Sequence, residues 1–385
     1  MNALVQTCDW APRPGYRATE SEFASRKARV ASSVWRNPQF RREIVPDPTP
    51  GAHDVVVSVR RCGVCGSDTH CYETDEQGYI LFSGPASFPC VLGHEYAGEV
   101  VAVGAAVRDL RPGMLVCGEG MLYCGTCEAC RRGLPNQCAR LEMTGFSAPG
   151  AYADALAVHE RHLWSLDALA GTLGSSDAAL DRGALVEPIG CAYNGMFVAG
   201  GGFRPGAYVV VYGCGPIGLG AILLARLAGA ALIIAFDVVP ERVAVAKACG
   251  ADVALDLRDV PSPSELVREL TRGWGADVQV EAAGAARATM PEIEQAFAPG
   301  GLMVYLGRTG GYAPVELDRL VSSGARIAGS RGHAGGGCFP SILRLMERGR
   351  LDPTPMITHR APLHDALAAL ARSTSRVDGK ILLST

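Results

Sequence analysis

The chain has 385 residues, with 36 Lys and Arg against 39 Asp and Glu for a formal net charge of −3. That length exceeds one ordinary core and suggests two domains, while the near-even charge and lack of long basic runs argue against a nucleic-acid surface. With 14 cysteines, no apolar run of about twenty residues and no basic-then-apolar signal layout in MNALVQTCDW, a cytoplasmic protein with reduced thiols, metal sites and no membrane partner is expected.

The first fifty residues are locally basic through Arg26, Lys27, Arg29, Arg36, Arg41 and Arg42, and prolines 46, 48 and 50 close them. They read as a solvated extension over the domain surface, ending in an extended connector. From Asp54 the run Val55-Val56-Val57-Ser58-Val59 predicts a strand. It delivers the chain to Cys62-Gly-Val-Cys65-Gly-Ser67-Asp68-Thr69-His70.

Gly93-His94-Glu95 follows about thirty residues later, before a second strand-like run from Gly98 to Val103. Cys65, His94 and Glu95 form a borderline-soft ligand set, suited to zinc with an open coordination position. Ser67 is placed to hydrogen-bond a substrate hydroxyl, and His70 to pass its proton outward. Cys62, Cys71 and Cys90 read as packing residues.

Cys124, Cys127, Cys130 and Cys138 crowd one short loop. Four thiolates at that spacing wrap a tetrahedral ion and leave no open position, which predicts a structural zinc site. Farther on, Glu187 precedes Pro188. It reads either as a surface charge at a helix start or as a second carboxylate reaching a metal.

The stretch from Val209 to Asp237 carries the cofactor signal. A short β-branched run, Val209 to Tyr212, predicts a buried parallel strand, and Gly213-x-Gly215-Pro216-Ile217-Gly218 opens a helix to about Ala228. A second apolar run, Leu232 to Phe236, ends on Asp237. The glycines permit a tight turn, approach of the backbone to a pyrophosphate and close helix packing. The helix N-terminus then receives the phosphates, and Asp237 accepts from an adenosine ribose. Arg242, five residues on, is a further cofactor-binding candidate, expected to pack along the adenine side or face solvent rather than turn toward a 2′-phosphate. An acid at the end of the second strand selects NAD over NADP, because a 2′-phosphate would meet a like charge.

Strands and helices alternate after Asp237. Helices are expected at about 240–249, 263–271 and 287–297, with strands near 253–255, 277–281, 301–306 and 326–328. This predicts a parallel, doubly wound sheet. Helices near 341–347 and 363–372 and a strand at 380–384 complete the chain.

These motifs, in this order, resemble the zinc-dependent medium-chain alcohol and polyol dehydrogenases over nearly the whole chain. The resemblance implies a GroES-like catalytic domain at 1–190 and 331–385 around a Rossmann NAD-binding domain at 191–330. It implies two zinc ions per chain and a homodimer or homotetramer. Catalytic-zinc residues would be Cys65, His94 and Glu95, with Glu187 where the polyol branch has a further glutamate and the alcohol-dehydrogenase branch a cysteine; either carboxylate is a candidate for direct contact. Ser67 and His70 match the proton relay.

A narrower likeness lies in KARVASSVWRNPQF, ETDEQGYILFSGPASFP and GSRGHAGGGCFP. These stretches depart from sorbitol and threonine dehydrogenases and are similar to bacterial inosose dehydrogenases, which oxidise a ring hydroxyl of a cyclitol. A cyclitol needs many placed polar partners. Glu73, Tyr79 and His333 are the substrate candidates, with Glu76 and Arg331 also available. The implied reaction is reversible hydride transfer between NAD and a secondary hydroxyl of a polyhydroxylated ring. A linear polyol or threonine-type dehydrogenase is the alternative within enzymes, and a non-enzymatic zinc-binding protein the alternative outside them.

Overall fold

The structure is a computed structural model that describes residues 1–308 and 311–385. The chain forms two compact units, one of residues 1–187, 359–376 and 380–385, the other of residues 188–358 and 377–379. No helix among the described residues is long and apolar enough to cross a membrane.

The first unit is built on a seven-stranded sheet. The predicted valine strand is Asp54–Val64, paired antiparallel with Glu95–Val103. On its other side lies the last strand of the chain, Lys380–Ser384, with Ile381 opposite Val64. Val55, Val57, Val59 and Cys62 are fully buried from this strand. Cys71 and Cys90 are buried in the same core, as expected of packing residues.

The first fifty residues depart from expectation. Asn2–Trp10 and Trp35–Ile44 pair antiparallel, from Asn2 opposite Ile44 to Trp10 opposite Trp35. With Cys90–Val91 they make a three-stranded sheet, and Leu4, Ala28, Ala31, Val34 and Trp35 enter the main core. The basic residues misled because Arg36, Arg41 and Arg42 lie on the outer strand of that sheet, where Pro38 falls at the register shift opposite Thr7 to Asp9. The basic surface is real, but its other face is core.

In the second unit six parallel strands run in the spatial order Val253–Asp256, Leu232–Asp237, Tyr208–Tyr212, Ala276–Glu281, Phe297–Tyr305 and Arg326–Gly329. Counted from Tyr208–Tyr212 this is the 3-2-1-4-5-6 order of a dinucleotide-binding sheet. The order reverses beside Tyr208–Tyr212, which places a ligand crevice at that strand's carboxyl end. The helix Cys338–Glu347 buries Phe339, Ile342, Leu343 and Met346. Residues 331–358, expected with the first unit, thus belong to the second.

Candidate active site

The strand Asp54–Val64 ends just before Cys65, and the helix Gly66–Tyr72 begins just after it. Cys65 caps that helix with its sulfur on the Asp68 backbone N–H, while Asp68 returns its carboxylate to the Cys65 N–H at 3.0 Å. Cys65, His94 and Glu95 offer one ligand atom each, all within 4.8 Å of one another.

Asp68 is fully buried. It accepts from the Tyr152 hydroxyl at 3.0 Å and holds one carboxylate oxygen 3.5 Å from His94 Nδ1. Burial works against a charged His94 ring, but Asp68 and the Cys65 sulfur overcome it and raise the imidazole well above its usual value. Glu95 is also fully buried, and its Oε1 makes no hydrogen bond. Its other oxygen takes the Lys380 ammonium, which also donates to Val64 O at 3.1 Å. Gly63 is required here, since a Cβ would collide with the Glu95 carboxylate.

Burial disfavours charge on both members of this pair. Glu95 nevertheless raises Lys380, whereas burial and the like charge of Glu187 outweigh Lys380 and leave Glu95 raised too. We take the pair as ammonium and carboxylate, because Nζ faces two acceptor oxygens. A thiol, an imidazole and an unsatisfied carboxylate oxygen, converging in a buried place, fit a zinc ion.

Glu187 is buried at the start of the helix Val186–Tyr193, which excludes the surface reading. Its charge reaches Glu95, but it does not join the Cys65–His94–Glu95 set. Ser67 Oγ lies 3.5 Å from His94 Nε2. The His70 ring is pulled below its usual value, first by burial and then by Arg376, against an opposing pull from Glu73.

Two of the substrate candidates have other employment. Glu73 pairs with Arg376 at 2.5 Å. Tyr79 is buried, with the Arg13 guanidinium 3.9 Å and that of Arg36 5.2 Å from its ring centroid. His333, expected on an open glycine loop, is 1% exposed, packs its ring against Phe339 and sets Nδ1 3.8 Å from Cys191 Sγ.

The four-cysteine loop gathers its sulfurs, with Cys127–Cys130 at 3.5 Å, Cys127–Cys138 at 3.8 Å and Cys138–Cys124 at 3.5 Å. These are separations between free thiols, as none of the fourteen cysteines is in a disulfide. Backbone N–H groups of Thr126 and Cys127 and the Arg140 guanidinium pull the Cys124 thiol down to about 5. Burial and Cys127 push the Cys130 thiol up to about 12, so it is the gathering of four sulfurs in one closed set that fits structural zinc.

In the second unit Gly213 has φ +91°, and a Cβ there would come 2.6 Å from Ala283 Cα. A Cβ on Gly218 would collide with the Gly213 carbonyl. Gly215 is different: the nearest atom to a Cβ is Arg242 Nη1 at 3.6 Å, so its backbone face is open. Pro216 and Ile217 start the helix Pro216–Leu227, with proline at a position that needs no N–H. Asp237 closes the neighbouring strand and accepts from Cys214 N at 2.6 Å and Val239 N at 2.9 Å. Its carboxylate therefore also shapes the glycine turn. This turn, open at Gly215 and leading into a helix N-terminus at the switch point, fits a dinucleotide phosphate.

Two family models match the chain, the alcohol dehydrogenase GroES-like domain over residues 51–168 and the zinc-binding dehydrogenase domain over residues 216–348. The scyllo-inosose 3-dehydrogenase of Thermotoga maritima is 36% identical over 95% of this chain and 94% of its own length. The chain belongs to the zinc-binding alcohol dehydrogenase family. An L-threonine 3-dehydrogenase of Saccharopolyspora erythraea is 33% identical over 100% of this chain and 98% of its own. A solved Thermotoga maritima chain, named as a candidate alcohol dehydrogenase, superposes with a TM-score of 0.95 at 35% identity, covering 100% of both chains. The fold is accordingly a GroES-like domain with a Rossmann domain, and the protein is an enzyme of this dehydrogenase family.

Three residues at the site of this zinc-binding dehydrogenase escaped sequence reasoning. Asp68 was visible in the Cys65 motif, three positions after the cysteine, but its capping role needs the helix. Lys380 carries no local signal. Phe146, which stands 5.0 Å from the His94 ring and stacks at 4.3 Å on Phe82, belongs to an unremarkable loop.

Proposed function

We propose that the enzyme reversibly oxidises a secondary hydroxyl of a cyclitol to a ketone, with NAD as cofactor. The convergence of Cys65, His94 and Glu95 in a buried place carries the metal-assisted dehydrogenase part of this reading. It is supported by the relative named scyllo-inosose 3-dehydrogenase. One zinc would be held by Cys65 and His94 with Glu95 or Glu187, and a second by Cys124, Cys127, Cys130 and Cys138.

When bound, zinc polarises the hydroxyl oxygen and the nicotinamide accepts the hydride. The rest falls to the chain. Ser67 Oγ accepts the substrate hydroxyl proton as its own proton passes toward His70, whose ring burial and Arg376 hold below its usual value. Asp68 fixes the ring of His94. Gly213, Gly215 and Gly218 seat the pyrophosphate, Asp237 takes the ribose hydroxyls, and Arg242 lies alongside. We keep His333 as a group near substrate or cofactor, whereas Glu73 is engaged by Arg376 and Tyr79 by Arg13 and Arg36.

We assign a homodimer or homotetramer, supported by the outermost sheet strand Arg326–Gly329 with its exposed Ile327 and by exposed Leu317 and Val321 of the helix Leu317–Ser323. A cytoplasmic site suits fourteen reduced thiols.

The test is NAD reduction by the zinc-loaded enzyme on inositols, inososes, sorbitol and threonine, with product identification. Turnover on cyclitols well above the others is expected. The second reading, favoured by the threonine 3-dehydrogenase relative, predicts threonine as the best substrate.

A further inference from the structure

Two of the stretches that set this chain apart, 27–40 and 73–89, are distant in sequence yet bound together along their length. Lys27 and Ala28 pair with Ser87 and Ala86. Ala31 N donates to Gly84 O at 3.0 Å, Ser32 N to Phe82 O at 2.8 Å, Ile80 N to Trp35 O at 3.1 Å and Asn37 N to Gly78 O at 2.8 Å. Trp35 Nε1 adds a bond to Ala86 O at 3.1 Å.

Arg13 locks the outer end. Its Nε donates to Ser32 O at 2.8 Å, Nη1 to Gln77 Oε1 at 3.0 Å and Nη2 to the Asp75 carboxylate, with the guanidinium over Tyr79. Glu22, 3% exposed, closes the inner end. It accepts from the Tyr16 hydroxyl at 2.6 Å, Thr19 N at 2.9 Å, Arg29 N at 2.9 Å and Arg29 Nε at 3.1 Å.

The braced segment then reaches the site. Leu81 N and Phe82 N both donate to the carbonyl of His70, at 2.8 and 3.0 Å. Phe82 stacks on Phe146, and Phe146 packs on His94. Residues 13–37 lie outside the candidate ligand set, yet through residues 78–87 they hold Phe82 and Phe146 against the His94 ring.

We propose that segment 13–37 is a specificity brace: by fixing residues 75–88 it sizes the substrate space beside Cys65 and His94 for a rigid, hydroxyl-rich ring, and Arg13 and Trp35 are positioning residues for that substrate. The proposal rests on the cyclitol reading above. A ring with fixed hydroxyl directions loses its alignment when a wall shifts slightly. A small flexible alcohol adjusts to the same shift.

The experiment compares Arg13→Met, and separately Trp35→Phe, with the unmodified zinc-loaded enzyme. For the preferred cyclitol, KM is expected to rise about tenfold with kcat within about twofold, since a shifted wall removes contacts that the bound ring and its transition state share. KM for a small secondary alcohol and the zinc content should stay unchanged, and the amides of Ile80, Phe82 and Ser87 should exchange faster with deuterium. Arg13→Lys should fall between, keeping charge but losing the forked bonds. Parallel losses on both substrates, or an unchanged cyclitol KM despite faster exchange, would overturn the brace. If no cyclitol is turned over, the functional reading fails by itself; the same variants are then compared on two accepted alcohols of different bulk, and an unchanged ratio overturns the brace.

Discussion

Lys380 and Glu95 form an ion pair with both side chains 0% exposed, although 285 positions separate them. The last strand of the chain thus supplies the counter-charge for a carboxylate at the candidate metal set. Removing one partner of such a pair leaves the other charge buried and uncompensated. Lys380→Met should destabilise the enzyme by about 3–5 kcal/mol. Adding Glu95→Gln should recover part of that loss, and denaturant unfolding of both variants measures it.

The two metal sets should separate on substitution. Metal analysis is expected to find two zinc ions per chain. Cys65→Ala should lose one zinc and all measurable turnover while melting near the unmodified temperature. Cys127→Ala should lose the other and melt lower, because binding energy at a structural site is also folding energy. Full activity in Cys65→Ala, or one zinc in the active enzyme, contradicts the assignment.

The proton path predicts a pH signature. Ser67→Ala should retain zinc and NAD yet lower kcat about a hundredfold or more, as for lost acid–base catalysis; His70→Ala should be milder. Burial and Arg376 depress His70, so its rate-supporting neutral form persists below pH 6.5. Arg376→Met removes a positive neighbour, so the acid limb of the rate profile should move to higher pH. Glu73→Gln should move it lower.

Glu22 predicts an acid-labile brace. Burial raises its carboxyl, but bonds from the Arg29 and Thr19 backbones and from Tyr16 prevail and bring it from 4.5 to about 2. A depressed folded value means stability is present above the unfolded value of 4.5 and is lost as pH falls toward about 2. Between these limits fluorescence of Trp10 and Trp35 should report loosening. Glu22→Gln should be looser at neutral pH and lose this component of the pH dependence. Identical pH profiles for the two proteins would contradict the role.

Cofactor choice should follow Asp237. A 2′-phosphate about 4 Å from its carboxylate meets roughly 4 kcal/mol of repulsion at an effective dielectric near 20. The unmodified enzyme should strongly prefer NAD, and Asp237→Ser should narrow that preference, chiefly through weaker NAD binding. The same change removes the acceptor of Cys214 N and Val239 N, so a lower melting temperature should accompany it. Equal kcat/KM with NADP in the unmodified enzyme would show that Asp237 does not face the ribose.

Much was legible where the physical demand is local. Gly213 needs positive φ, Gly218 needs a missing Cβ, and both constraints act within a strand, a turn and a helix. The four thiols lie in one loop, and the valine run from Val55 announces a buried strand by composition. By contrast, the first fifty residues were misread, because their arginines are local and their pairing is not: Asn2 meets Ile44, and Ala31 meets Gly84.

The sequence by itself determined the chemical types, a borderline-soft ligand set, a thiolate cage and a phosphate-binding turn, because residue identity and short spacing suffice to define donors. Only the tertiary structure decided their electrical and steric setting. Lys380 beside Glu95, Asp68 behind His94, and the brace from Arg13 to Trp35 all arise from contacts between distant parts of the first unit. Burial strengthens such contacts and leaves no periodic trace in the chain, since one residue at each end is enough to make them.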